Sequence, residues 1–221
     1  MSEPSKLVWH PKLSRPSGQN ESDARREILD AAAETFMENG YAGASIDDIA
    51  DRLNATKGRV YHHYRSKLDI LLDIHTGILE HMIRVIRPVA ERTGSPTERL
   101  SEMAHLHVLL VIHNLAPARV TLHAISDTYN TRKQMEAVGD IAKMRNEYEG
   151  FFHTVVHEGG KAGEFTVTEP DLVVKAILGC LNWIPIWYRP DDPRTVSAEV
   201  VAEHFAAFVR NGVGVGVATP R

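Results

Sequence analysis

Residues 45–67 read SIDDIADRLNATKGRVYHHYRSK. The stretch predicts two short helices joined by a tight turn, the second of them basic and aromatic. That is the layout of a helix-turn-helix, which lays its second helix in a DNA major groove. Arg52, Lys57, Arg59, Arg65 and Lys67 fall between Asp51 and Asp69 with no acid among them. In a chain of net charge −4, a local positive stripe is what a focused phosphate contact needs.

Each residue of the stretch has a physical reason to be there. The Ser45 hydroxyl can accept from the backbone N–H of Asp47 or Asp48, and both acids suit the positive end of a helix dipole. Ile46, Ile49, Ala50 and Leu53 share one helical face, which should bury against neighbouring helices. Asn54 and Ala55 form the turn, where Asn tolerates the left-handed conformation. Thr56 is expected to cap the second helix, and Gly58 to let another backbone approach. Val60, Tyr61 and Tyr64 can supply packing, which leaves Lys57, Arg59 and His62 pointing outward.

Residues 27–72 carry a family resemblance. The run ILDAAAETFMENGYAGASIDDIADRL, followed by GRVYHHYRSKLDIL, resembles the DNA-binding domain of TetR-type (tetracycline-repressor-like) regulators. Tyr64 is a mild departure, since the family more often has Phe there. The resemblance implies that Tyr61 and Lys67 clamp phosphates, that Ser45 and Thr56 also touch them, and that Lys57, Gly58 and Arg59 lie where base edges are read. Phosphate contacts set register and base contacts carry the sequence information. Arg25, near the start of the preceding helix, is placed to reach a phosphate, and His62 joins the outward set.

The composition is that of a globular protein, with 43% hydrophobic and 24% charged residues over 221 positions, enough for one or two cored domains. A lone cysteine, Cys180, rules out an internal disulfide and a cysteine zinc site and fits a reducing cytosol. No stretch reaches the roughly 20 apolar residues of a membrane span, and no apolar leader opens the chain. The expected location is the bacterial-type cytoplasm.

The chain reads as all-α, with about nine helices and no useful period-2 pattern. Residues 1–20, rich in proline and serine, read as a mobile arm, with Trp9 out of place in it. Residues 21–67 form the helix-turn-helix domain, 68–213 a helical effector-binding and dimerisation domain, and 214–221 a loose tail. Ile28, Ala32 and Phe36 stripe the first helix, which Gly40 stops. A helix from Ser66 should end or bend at Pro88. Later helices are expected over about 97–115, 119–126, 132–158, 171–188 and 196–211, with Gly159, Gly160 and Gly163 closing the third of these.

A reading helix needs a twin on a twofold axis, with half-sites roughly 34–36 Å apart. The last two helices are the expected dimer surface, through Ile177, Leu181, Val201, Phe205 and Phe208, which is also where the family resemblance puts it. The middle helices should enclose a pocket. Its expected lining is Leu106, Leu110, His113, Leu122, Tyr148 and Phe152, joined by Trp183, Trp187 and Arg189. The segment LNWIPIWYRPDDP, with Pro185 inside a helical pattern, is similar to the same region of TetR-type regulators of fatty-acid and sterol breakdown. That likeness implies an acyl-CoA effector, its chain in an apolar tube and its phosphates near basic residues at the mouth such as Arg119, Arg189 or His123.

The expected protein is therefore a ligand-responsive regulator, chiefly a repressor, that binds a palindromic operator as a homodimer without a cofactor. Two alternatives stand beside it. One is a helical metal-dependent enzyme using His153 and His157, which lie four residues apart on one helix. The other is an effector-free DNA-binding activator.

Overall fold

Ile28, Ala32 and Phe36 follow one another at single-turn spacing, and each is buried. They fix α1 (Gln19–Gly43) against its neighbours. Gly40 breaks the helical path with φ 69°, as a stop requires, and a short turn carries the element on to Gly43. The structure, a computed structural model, describes residues 6–9, 19–124 and 132–214, with the side chains of 19–22, 123–124 and 132–138 left out. Most of the expected arm and tail, and the expected end of the helix over 119–126, lie outside the described residues.

Among the described residues there are ten helical segments and no strand: α1, α2 (Ile46–Arg52), α3 (Lys57–His63), α4 (Lys67–Glu91), α5 (Pro96–His113), α6 (Leu115–Ala124), α7 (Arg132–Ala162), α8 (Pro170–Asn182), α9 (Ile184–Trp187) and α10 (Ala198–Gly212). Ser45 caps α2 with a reciprocal box. Its hydroxyl accepts from the Asp48 N–H at 3.1 Å, and its own N–H donates to Asp48 Oδ2 at 2.8 Å. Asn54 takes the left-handed turn at φ 48°.

α4 continues one turn beyond Pro88, so the proline does not end it. Two other helices end elsewhere than the sequence suggests. α7 passes through Gly159 and Gly160 and stops at Gly163, whose φ is 73°. There the Gly163 N–H donates to Gly160 O and the Glu164 N–H to Gly159 O, the two bonds of a Schellman cap. Gly159 instead makes room, because a Cβ there would stand 2.1 Å from the Phe165 ring. The helix expected over 171–188 is broken in two. Pro185 has no N–H, and its ring would meet the carbonyl four residues back. The chain turns at Trp183 instead, with Trp183 N–H bonded to Cys180 O and Ile186 N–H to Trp183 O, leaving α9 as a single turn.

Of the described residues, 9–80 and 114–142 form one compact unit, and 6–8, 81–113 and 143–214 form another. In the first, α1 packs on α2 and α6, and Ile28, Ile49, Val60, Ile70 and Ile74 are fully buried. The segment expected to be a mobile arm is docked at residues 6–9, where Leu7 and Trp9 are buried. The Trp9 N–H donates to Asn114 Oδ1 at 2.6 Å. Its indole covers Gly77 so closely that a Cβ would stand 2.6 Å from it.

In the second unit α5 is the central helix. From Leu106 to Ile112 every residue is buried, as a helix apolar on all sides requires. α8, α9 and α10 pack against it, and α7 adds Tyr148, Phe152, Val155 and Val156. Glu164 caps its start, accepting from Ser95 Oγ, Thr97 Oγ1 and the Thr97 N–H.

Candidate nucleic-acid interface

α3 is anchored by one side and open on the other. Val60 is fully buried under it, and Tyr64 at its end is buried too. Lys57, Gly58, Tyr61 and His62 are exposed, and Arg59 is partly so. The sequence-expected outward residues thus lie together on the free face of one short helix. A Cβ on Gly58 would meet only the Thr56 hydroxyl, at 3.8 Å, so the space above the backbone there is open to an incoming partner. Thr56 is the N-cap by position, but its side chain makes no cap hydrogen bond. Its exposed hydroxyl stays available, while its carbonyl takes the Arg59 N–H.

The positive stripe is not bare. Arg59 Nη2 donates to Glu27 Oε2 at 2.5 Å, and Lys57 Nζ to Asp47 Oδ2 at 2.8 Å. The Asp47 hydrogen bond raises the Lys57 pKa. Arg52 is committed to Thr35, Glu34 and Glu38. Tyr61 is 48% exposed, with the Lys57 ammonium 6.0 Å above its ring.

Two expected phosphate contacts are held in the protein instead. Lys67 Nζ donates to the carbonyls of Tyr41 at 2.5 Å and Ala44 at 2.7 Å, and lies 4.5 Å above the Tyr41 ring. Burial lowers its pKa. The ammonium is drawn to the carbonyls at the end of α1, past its break at Gly40, and it pins the link between α1 and α2. Arg25 Nη2 donates to Asp73 Oδ2 at 2.5 Å, and the Tyr64 hydroxyl donates to the same oxygen at 2.6 Å. This trio ties α1 to α4 beneath α3. Ser45 likewise spends its hydroxyl on the cap of α2.

The expected dimer residues divide by side. Ile177, Leu181 and Val201 are buried, because their side of α8 and α10 packs on α5 in the same chain. Phe208, at 61% exposed, faces outward, and Phe205 stacks on Trp187 with centroids 6.2 Å apart. The expected pocket residues divide as well. Leu106, Leu110, Tyr148 and Phe152 are buried together in the second unit. His113 is exposed at the end of α5, and Leu122, on α6 in the other unit, is partly exposed. Trp183, Trp187 and Arg189 face solvent rather than an enclosed space, because the break before Pro185 turns both indoles outward. Leu172, Trp183, Trp187, Val200 and Phe208 instead make an exposed apolar set on α8, α9 and α10.

Sequence reasoning missed His107. It sits in the run LHVLLVI, fully buried, with Nδ1 2.8 Å from the Tyr148 hydroxyl. Burial lowers its pKa to about 4, with the Asn182 side chain working in the other direction. The signal was legible as one histidine inside the most apolar helix of the chain. The His153–His157 pair does not make a metal site. His153 Nε2 faces Glu149 and its Nδ1 faces Asp171, each at 3.2 Å. Among the described residues no group of three His, Cys, Asp or Glu can hold a metal ion, and no helix is long and apolar enough to cross a membrane.

Comparison with known proteins agrees with this geometry. Residues 28–74 match the family model of bacterial regulatory proteins, tetR family, and residues 93–213 match the tetracyclin repressor-like C-terminal domain. The chain is 27% identical over 213 residues to the HTH-type transcriptional repressor KstR2 of Mycobacterium tuberculosis H37Rv, covering 91% of this chain and 98% of that one. Among solved structures, the TetR family regulator PfmR from Thermus thermophilus aligns with a TM-score of 0.75 at 28% identity, over 84% of this chain and 98% of its own. AibR, solved in complex with isovaleryl coenzyme A and operator DNA, aligns with a TM-score of 0.73 at 23% identity, over 84% and 97%. At that identity the likeness is one of fold.

Proposed function

The chain belongs to the tetR family of bacterial regulatory proteins and is a ligand-responsive, DNA-binding transcription regulator, not an enzyme; from that premise we propose that it is a cytoplasmic repressor, homodimeric on a palindromic operator and released by an acyl-CoA-type effector. The observation that carries the DNA reading is the free face of α3. Lys57, Gly58, Arg59, Tyr61 and His62 project from a helix fixed from below by Val60. Arg59 is the base reader, matched to the two acceptors of guanine. Lys57, Tyr61 and the Thr56 hydroxyl meet the backbone.

Dimerisation is typical of the family, and the exposed apolar set on α8, α9 and α10 supports it here. Large exposed aromatic and aliphatic side chains are what a protein interface covers. Phe208, Trp183 and Leu172 are each at least 60% exposed in the single chain. A twofold pair places two α3 helices on successive half-sites and doubles the phosphate contacts.

The acyl-CoA assignment is supported by the isovaleryl coenzyme A bound to AibR and by the apolar core around α5, where Leu106, Leu110 and Phe152 are buried. Such an effector acts only through its preference for the shape that binds DNA less well. Fluorescence anisotropy on DNA flanking this gene tests the whole reading. Specific binding is expected, reversed by isovaleryl-, octanoyl- or palmitoyl-CoA. Binding no tighter than to scrambled DNA overturns the operator; bound DNA indifferent to every thioester overturns the effector alone.

A further inference from the structure

A polar group closed inside an apolar core needs a partner, because a buried donor left unpaired forfeits its hydration with nothing in return. His107 is such a group. Its ring has no exposed surface, and Nε2 has no hydrogen-bond partner. The Asn182 side chain is near enough to favour the charged ring, yet it closes no hydrogen bond to Nε2. Nδ1 and the Tyr148 hydroxyl are 2.8 Å apart, and the Phe152 ring closes the spot edge-on, 6.5 Å away between centroids.

The proton inventory fixes what is missing. Burial raises the Tyr148 pKa, so its phenol stays protonated, and burial keeps His107 neutral. If the phenol donates to Nδ1, the ring proton sits on Nε2, and that N–H is the one strong donor without an acceptor. The other tautomer leaves two groups unmet, the Tyr148 O–H and the Nε2 lone pair, and is the costlier arrangement. The cluster therefore offers one neutral N–H beside the Phe152 ring, with the Asn182 side chain near it but not bonded to it. A carboxylate is the wrong occupant, since one neutral donor cannot offset the desolvation of a full charge. An ammonium brings no acceptor. A carbonyl oxygen on an apolar molecule fits.

We infer that His107, held in one tautomer by Tyr148, is the hydrogen-bond donor that recognises the thioester carbonyl of the effector. The inference rests on the acyl-CoA reading above and adds to it the atom by which the ligand is sensed. His107 is the binding residue and Tyr148 a positioning residue. Phe152 is packed against both rings, so the ligand enters by displacing aromatic side chains rather than by filling a standing chamber.

The test compares octanoyl-CoA and palmitoyl-CoA with their thioether analogues, S-octyl-CoA and S-hexadecyl-CoA, which lack only the carbonyl oxygen. Isothermal titration of the full-length protein should show each thioester preferred by about tenfold or more, the worth of one hydrogen bond to a buried group. His107→Leu should bring the ratio close to one. Tyr148→Phe should reduce it, and serves as the readout if His107→Leu does not fold. The ratio is diagnostic because a merely structural loss weakens both ligands alike. Equal affinity for thioester and thioether in the unaltered protein, or a preference that survives both substitutions, overturns the carbonyl donor while leaving the acyl-CoA effector in place. Failure of all four ligands to bind overturns both, and leaves the DNA-binding regulator standing.

Discussion

The Arg59 guanidinium lies 2.5 Å from the Glu27 carboxylate of α1, with 39% and 51% of the two side chains exposed. Arg59, proposed above as the base reader, is therefore paired with an acid in the free protein. A surface pair of this kind is worth about 0–1 kcal/mol, whereas a bidentate guanine contact carries about 1–3 kcal/mol of discrimination. The exchange favours DNA, but only where the right base waits. Arg59→Ala should cost about 1–3 kcal/mol on the operator and flatten preference at one base pair. Glu27→Gln should strengthen binding to operator and scrambled DNA alike, because the pair no longer has to break and a carboxylate beside the phosphates is gone. Anisotropy titrations on both DNAs read this directly, and unchanged affinities in Glu27→Gln refute the guarding role.

Lys67 separates a structural role from a phosphate role. Two of its donors are spent on the Tyr41 and Ala44 carbonyls, in a site that lowers its pKa by burial. Lys67→Met should cost about 1–3 kcal/mol of stability, the range for buried acceptors losing a charged donor, and lower the melting temperature. The slope of log affinity against log salt should stay as it was. A phosphate-clamping lysine behaves the other way, with the slope falling by about one unit and the melting temperature intact.

Trp9 and Gly77 give a third prediction. A Cβ at position 77 would stand 2.6 Å from the indole, so Gly77→Ala must push Trp9 from its seat. Overpacking of this kind costs about 1–3 kcal/mol. Displacement should also red-shift the Trp9 emission and open it to acrylamide. A Trp183→Phe, Trp187→Phe background removes the two exposed indoles from the signal. Emission that stays blue and shielded in Gly77→Ala places the indole elsewhere.

His107 makes stability depend on pH. Its folded pKa is lowered by burial, from 6.5 to about 4, with Tyr148 on α7 and Asn182 on α8 as its polar neighbours. Between those two values the unfolded chain binds the extra proton and the folded chain does not. This contribution to stability is therefore complete above pH 6.5 and is lost as pH falls toward 4, at up to about 1.4 kcal/mol per pH unit. Urea titrations from pH 7 to 4.5 should show that slope, and His107→Leu should remove this share of it. A variant with an undiminished slope puts the acid sensitivity in other groups.

The reading unit was legible because its signals are local. Caps, a left-handed Asn and an apolar face lie within a few residues of one another, and Ser45, Asn54 and Val60 needed no distant partner to be understood. Arg59 and Lys67 were legible as cations but not as paired ones, since Glu27 and the Tyr41 carbonyl come from elsewhere in the chain. The C-terminal helices misled for a different reason. α8 and α10 carry apolar residues on two sides, and periodicity alone does not say which side meets the chain's own α5. Periodicity thus puts Ile177, Leu181 and Val201 on the outside, and Trp183 and Trp187 on the inside. Pro185 reads as a kink from sequence, but the turn it forces at Trp183 sets where both indoles point.

That reversal yields the last prediction. Phe208 is 61% exposed on α10 and Trp183 60% exposed at the end of α8. Both are mostly exposed in the single chain, so changing them should move its melting temperature little. Phe208→Glu puts a charge where a partner's apolar surface must dry, and burying an unpaired carboxylate is costly enough to dissociate a dimer of ordinary size. Sedimentation equilibrium at micromolar protein should show the unaltered chain as a dimer and Phe208→Glu shifted toward monomer. Operator affinity should fall with it, since a monomer engages one half-site. Val201→Ala is the contrast: buried against α5, it should lower stability by about 1–2 kcal/mol and leave the dimer intact. Were Val201→Ala to dissociate the dimer and Phe208→Glu to leave it whole, the interface would lie on the side that the sequence first suggested.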